Sequence, residues 1–344
     1  MTEDSSPASH PSVAMTTTGM TQITGGNTVT SSSSPWGIEF YFHIVVLMIG
    51  VVGTAANGLV LYALFVSKQH KKHVLIVHQN ALDLFTSFSM IMTYTTRLCN
   101  VQLTGCVGYW LCTMILSDCL ILFGTIASAI NLAMITVERY LKVVHPVWSK
   151  KKLHNWMIYL AMVTACIISF INNIAVVFPT SGVIDGVCYA YMIWNSKAAS
   201  MFYFTWNFVA FYLIIIFIFV FCYWRIIVVI RRQARVMASH AVDGSSAAQI
   251  QCNQIQSNVI KTMIIVSTSF AISWLPAYIH FMIQTLTPYP IPLDAIFFAG
   301  LALAYSYMCI NPYIYATNLD PVRQVLLRLL PCKKTSEQAA GNVA

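Results

Sequence analysis

Charge is what this sequence is shortest of. Only 9% of its 344 residues are Asp, Glu, Lys or Arg, against about 25% in a soluble domain. Too little charged surface is left to coat a globule in water, which excludes a cytosolic enzyme. No basic segment followed by an apolar core opens the chain, so no cleavable signal peptide is expected. No Asn-X-Ser/Thr sequon occurs, so N-glycosylation is not expected, although a Ser/Thr-rich tail before Pro35 could carry O-linked sugar. No repeat relates the two halves, which counts against a transporter built from paired repeats. The histidines at 43, 70, 73, 78, 145, 154, 240 and 280 show no His/Glu metal spacing within a span, which counts against a membrane metalloenzyme.

What is abundant is apolar: 58% of residues are hydrophobic. They gather into seven stretches, at 38–66, 74–98, 110–141, 156–178, 201–230, 259–286 and 293–317, each long enough for the roughly 20 residues of a bilayer-crossing helix. The expected fold class is therefore an all-α membrane protein, a seven-transmembrane helix bundle. Residues 1–37 form a polar tail expected to be disordered, 38–317 the bundle, 318–332 a short amphipathic eighth helix on the membrane surface, and 333–344 a short cytoplasmic tail. The longest loop on the basic side, 233–254, has no room for a second domain.

Of the 19 Lys and Arg, Arg97 and Lys197 alone fall on the side of the N-terminal tail; the rest lie in or beside the opposite loops and the C-terminal segment. Cytoplasmic loops retain positive charge, so the N-terminus is expected outside, in the plasma membrane. The net charge of +8 is mostly this topology signal with some attraction to anionic lipid, and no nucleic-acid partner is expected.

An ionisable side chain in hydrocarbon costs about 2.5–3.5 kcal/mol on insertion scales. Asp83, mid-way along the second stretch, is such a residue, and Ser128, Asn131 and Asn311 could share its site; the plainer reading is a hydrogen-bond hub between helices. His78 reads as a helix-packing residue. The third stretch ends in Glu138-Arg139-Tyr140, an acid and a base at a membrane edge that can pair when a bundle is closed. The sixth contains Phe270 and then Ser273-Trp274-Leu275-Pro276, and the seventh Asn311-Pro312-Tyr313-Ile314-Tyr315. Both prolines remove a backbone hydrogen bond and bend their helices.

Taken together and in this order, with Gly53 to Asn57 in the first stretch, these motifs make the chain resemble a rhodopsin-like (class A) G-protein-coupled receptor over about residues 38–332. The resemblance implies a receptor that binds an extracellular ligand at one end, activates a heterotrimeric G protein by guanine-nucleotide exchange at the other, and catalyses nothing itself. It assigns coupling and activation to Glu138, Arg139, Tyr140, Tyr223, Phe270, Trp274, Pro276, Asn311, Pro312 and Tyr315. Asp83, Ser128 and Asn311 resemble the family's buried sodium site, and no other cofactor is implied. Tyr307 and Met308 stand where the family often has a polar pair, Ile215 replaces its usual proline, the usual tryptophan of the fourth span is absent, and Gln256 stands where an acid often pairs with the third-span arginine. A loosely latched closed state with basal signalling is expected.

The family pairs a cysteine at the top of span three with one in the second outer loop, which implies Cys112 with Cys188. Strict spacing back from Arg139 lands on Met114 instead, so Cys106 competes. Cys119, Cys166, Cys222 and Cys309 read as small core residues, and Cys332 as a lipidation candidate. The ligand cavity is expected to include Asp118, Thr125, Asn207, Tyr278, Gln284 and Tyr305, with His280, Trp194 and Trp206 nearby. Asp118 could neutralise a cationic ligand, but it lies one turn above Ile121, which holds the position of the family's amine-binding aspartate, and the plainer reading is a satisfied rim residue. Glu3, Asp4, Glu39, Asp185 and Asp294 against two basic residues suit a basic peptide, with a small amphipathic molecule second. Arrestin is a further partner, weakly engaged through Thr335 and Ser336, with Ser239, Ser245, Ser246 and Ser257 as alternatives. A light receptor would need a lysine in the seventh span, where none occurs between Lys261 and Lys333. A channel or transporter would need several facing polar groups.

Overall fold

The computed structural model describes residues 37–71, 73–99, 101–240, 247–287, 295–318 and 320–329. Seven helices in it are long and apolar enough to cross a membrane: Ile38–Val66, Val74–Leu98, Gly105–Val144, Asn155–Thr180, Lys197–Gln233, Ile260–Leu286 and Ala295–Thr317, here spans one to seven. They coincide closely with the apolar stretches of the sequence, and span three begins earlier than its apolar run because Gly105–Trp110 adds a helical turn and a half. The membrane-facing sides carry large apolar side chains such as Met48, Phe170, Phe217 and Val220, as lipid requires. The polar side chains turn inward: Asn57, Gln79, Asn80, Asp83, Asn131 and Asn311 are each fully buried. Inward-facing polar groups and small residues bring transmembrane helices together where no hydrophobic force acts between them. Spans one and two meet at Gly50, where an added Cβ would lie 3.0 Å from the Ser87 carbonyl oxygen.

Three local features shape the bundle. Span three is interrupted by π-helical backbone over Leu111–Leu116, ending at Asp118 in the left-handed region (φ 58°) before the regular helix Cys119–Val144. Wider π turns hold more residues per unit rise. Such turns offer a way to hold the two residues by which Cys112 departs from the spacing that the resemblance implies. Span five has a second π-helical stretch, Val209–Leu213, so the bulge forms although Ile215 stands in place of proline. In span six, Pro276 leaves the Ile272 carbonyl without its helical donor, and Tyr212 of span five donates to the adjoining Ala271 carbonyl at 2.8 Å.

The loop between spans four and five forms a hairpin that the sequence reading did not anticipate. Strands β1 (Gly182–Ile184) and β2 (Val187–Tyr189) pair antiparallel around Asp185-Gly186, both with positive φ, as a two-residue hairpin turn demands. Cys188, central in β2, is disulfide-bonded to Cys112, with Cα atoms 5.4 Å apart; Cys106 is free and exposed. After span seven, the helix Asp320–Leu329 buries Val322 against the bundle and exposes Arg323 and Gln324. Cys332, Thr335 and Ser336 lie outside the described residues, as do Glu3, Asp4, Asp294, and the side chains of Ser239, Ser245, Ser246, Gln256 and Ser257.

Candidate functional site

The bundle has an N-terminal rim, where the hairpin and disulfide lie, and a basic rim at the opposite end. Between them sits Asp83. Its Oδ1 accepts from the Ser128 hydroxyl at 2.7 Å and its Oδ2 from the Asn311 amide at 2.8 Å, tying spans two, three and seven together. The Gln79 amide nitrogen lies 3.2 and 3.3 Å from the two carboxylate oxygens. Asn131 does not touch Asp83; its amide donates to Gln79 Oε1 at 2.8 Å and the Leu75 carbonyl at 3.0 Å. His78 Nδ1 lies 2.9 Å from Asn131 Oδ1, so this histidine packs spans two and three. The hub has one more member than the sequence suggested: Gln79, one helical turn before Asp83.

Toward the N-terminal rim, Trp274 is buried with its indole N–H unpartnered. Phe270, one turn below, packs its ring 5.5 Å from Tyr307 and 6.2 Å from Tyr212. Tyr278 lies 4.9 Å from Tyr212 and 6.0 Å from Trp274, Tyr305 is buried 6.4 Å from Tyr94, and Thr125 is buried with no partner for its hydroxyl. Gln284 and His280 are half-buried on span six, the latter 4.4 Å from Phe297. Asp118 does not stand free. Arg97 of span two approaches its Oδ2 at 3.0 Å, donates to the Leu116 carbonyl at 2.8 Å and lies 4.8 Å over the Tyr94 ring. Asp118 Oδ1 is buried without a partner.

Trp206 and Asn207 are tied to span four. The Trp206 indole donates to Asn172 Oδ1 at 3.2 Å and the Asn172 amide to Asn207 Oδ1 at 3.1 Å, a seam between spans four and five. Tyr191, which follows the hairpin at φ 56°, joins the aromatic side chains of this rim. Its ring stacks on Tyr203 at 6.3 Å, and its buried hydroxyl has no partner; burial pushes that hydroxyl well above the usual tyrosine range. Trp194 packs against Tyr203 at 5.8 Å.

At the basic rim, Glu138 meets Arg139 Nε at 3.4 Å and Lys142 Nζ at 2.5 Å, so one acid is shared by two cations. Tyr140 packs on Phe221 at 5.9 Å. The Tyr223 hydroxyl lies 3.0 Å from both Thr136 of span three and Ser267 of span six, and the Tyr315 hydroxyl is buried without a partner.

Residues 56–315, most of the chain, match the family model for the 7 transmembrane receptor (rhodopsin family). The chain is a rhodopsin-like (class A) G-protein-coupled receptor. It is similar to the somatostatin receptor type 3 of Rattus norvegicus, 24% identical over 94% of this chain and 76% of that one. Similarity extends to the galanin receptor type 1 of Rattus norvegicus, 23% identical over 89% and 87%, and to human melanopsin, 26% identical over 84% and 61%. The receptor is thus a multi-pass membrane protein and not an enzyme.

Around Asp83 the side chains present few free oxygens to the sodium ion that the resemblance implies. A hard cation is held by oxygen ligands, whereas Asp83 is faced by the nitrogens of Gln79 and Asn311 and the Ser128 oxygen already accepts from Gln79, which leaves Asn311 Oδ1 as the buried amide oxygen without a partner beside the carboxylate. Among the four core cysteines, Cys119 and Cys222 are buried as expected, while Cys166 and Cys309 are half-buried. Cys166 lines, with His78, Phe123, Tyr159 and Phe170, a membrane-facing groove of about 530 Å³ on the span that lacks the family's usual tryptophan.

Proposed function

We propose that this receptor sits in the plasma membrane with its N-terminal rim outside, binds an extracellular ligand there, and activates heterotrimeric G proteins by promoting guanine-nucleotide exchange at the basic rim. Positive charge concentrated on one side supports the orientation, as does the Cys112–Cys188 disulfide on the other, since disulfides persist in oxidising compartments. One observation carries the ligand site: Asp118 Oδ1, Thr125 Oγ1, the Tyr191 hydroxyl and the Trp274 indole N–H are all buried without partners. Buried polar groups are nearly always paired, and these four are open to a ligand's donors and acceptors, as further groups such as Asn80 Oδ1 and the Tyr315 hydroxyl are open elsewhere in the bundle.

A peptide is the favoured ligand and a small amphipathic molecule the second. Two of the relatives are named for the peptides somatostatin and galanin. Because Arg97 already balances Asp118, a basic group on the ligand would share this carboxylate through its open Oδ1. Sensing light, which the relation to melanopsin raises, is disfavoured: span seven carries no lysine to hold retinal as a Schiff base, and Tyr305 occupies the relevant turn. The test is a ligand screen against GDP release from a panel of purified G proteins, with Arg139→Ala as control. Ion flux in proteoliposomes with no exchange on any G protein would overturn the reading in favour of a channel or transporter.

A further inference from the structure

The Gln79 amide holds a position that its neighbours dictate. The Leu75 carbonyl can only accept, so Asn131 must turn its nitrogen toward it, at 3.0 Å. The same nitrogen gives its second hydrogen to Gln79 Oε1 at 2.8 Å, and the oxygen so committed leaves the Gln79 nitrogen facing Asp83. Asn131 Oδ1 is consistent with this direction, since it accepts from His78 Nδ1. Amide orientation is assigned from such networks, and here a backbone carbonyl sets it. The Gln79 nitrogen consequently contacts both Asp83 oxygens and hydrogen-bonds the Ser128 hydroxyl. Gln79, Asp83 and Ser128 are each at most 1% exposed, so bulk water does not compete.

A small cation that neutralised Asp83 with help from Ser128 would have to touch both side chains at once, as the Gln79 nitrogen does. That place is filled by an NH2 group, which offers two N–H donors to the carboxylate and hydroxyl and no lone pair to a metal. We propose that the Gln79 amide stands in for the cation, making the receptor indifferent to sodium and leaving Asp83 to report on the bundle through its bond to Asn311 of span seven. The inference is independent of which ligand or G protein the receptor uses.

The test is the thermal unfolding midpoint of the full-length, detergent-purified receptor in sodium, potassium and N-methylglucamine chloride at equal ionic strength. The wild type is expected to unfold at the same temperature in all three. Gln79→Leu, which removes the amide at similar length, should unfold about 3 °C higher in sodium than in potassium, from ligand linkage at tenfold excess over Kd. Adding Asp83→Asn should abolish that difference. A sodium-specific rise in the wild type that Asp83→Asn removes would overturn the proposal, and so would a folded Gln79→Leu protein with no preference for sodium. The wild-type comparison decides the matter even if Gln79→Leu does not fold.

Discussion

Ser267→Ala should raise basal signalling about five-fold. Thr136 spends its hydroxyl hydrogen on the Leu132 carbonyl at 3.0 Å, so toward Tyr223 it can only accept. The chain of donors therefore runs from Ser267 to Tyr223 to Thr136, linking spans six, five and three near the basic rim. At the position from which an acid often latches Arg139, this receptor has Gln256, and Glu138 is already divided between Arg139 and Lys142. The tyrosine relay is then the principal polar tie between spans three and six among the described residues. If, as the proposed function requires, the basic rim opens for a G protein by parting spans three and six, the Ser267 bond breaks. Removing that bond in advance destabilises the closed arrangement by about 1 kcal/mol, within the range of about 0.5–1.5 for one hydrogen bond and near the average of about 0.6 seen between membrane helices. At about 1.4 kcal/mol per factor of ten, the open fraction rises about five-fold while it remains a minority. The assay is ligand-free nucleotide exchange in membranes at matched receptor density. Basal exchange equal to or below wild type in Ser267→Ala would refute the reasoning. Tyr223→Phe is a poorer probe, because it removes both bonds and also a hydroxyl assigned to activation.

Three further outcomes follow from the N-terminal rim. Cys112→Ser should lower stability by about 2–5 kcal/mol and reduce surface expression, whereas Cys106→Ser should leave both unchanged; the reverse order would reassign the disulfide. Asp185→Asn should be silent in binding and stability because Asn tolerates the left-handed turn, while Asp185→Val should cost about 1–2 kcal/mol in thermal unfolding, and a binding loss with Asp185→Asn would give that carboxylate an electrostatic role after all. Arg97→Leu leaves Asp118 as an uncompensated charge and should destabilise the receptor by about 3–5 kcal/mol, more than Arg97→Leu combined with Asp118→Leu; strict additivity in that double-mutant cycle would mean that the two side chains do not interact.

Much of the fold was legible because a membrane helix announces itself by composition over one long run, and Asp83 was legible because a carboxylate in such a run has few idle explanations. Gln79 was not: a lone amide in a span is ordinary, and its choice of partner depends on how span two is rotated against span three. The hairpin could have been found, since Asp185-Gly186 stands between Gly-Val-Ile and Val-Cys-Tyr, the pattern of a tight two-residue turn. In sequence Asp118 reads chiefly as a satisfied rim residue, but that Arg97 is what satisfies it is a matter of tertiary packing. The bonds of Trp206 and Asn207 to Asn172 of span four are likewise a matter of tertiary packing. The π-helical stretch Val209–Leu213 lies directly below them and changes the rotation of every residue above it, which periodicity alone does not register.

The same mechanism accounts for the cysteine spacing and links it to the ligand site. Two extra residues in a regular helix would turn the top of span three by more than half a turn and carry Cys112 away from the hairpin. The π-helical backbone of Leu111–Leu116 accommodates them, with Ser117 N–H donating to the Cys112 carbonyl at 2.9 Å, but it must return to a regular helix at Asp118, which pays with a left-handed conformation. Such a conformation in a residue other than glycine persists where surrounding contacts over-determine it. Here Arg97 supplies them, holding both the Asp118 carboxylate and the Leu116 carbonyl. The insertion, the disulfide and the buried ion pair are therefore one construction. A ligand that draws Asp118 away from Arg97 would act on the strained junction of span three itself, and through the regular helix below it on Ser128 and Arg139.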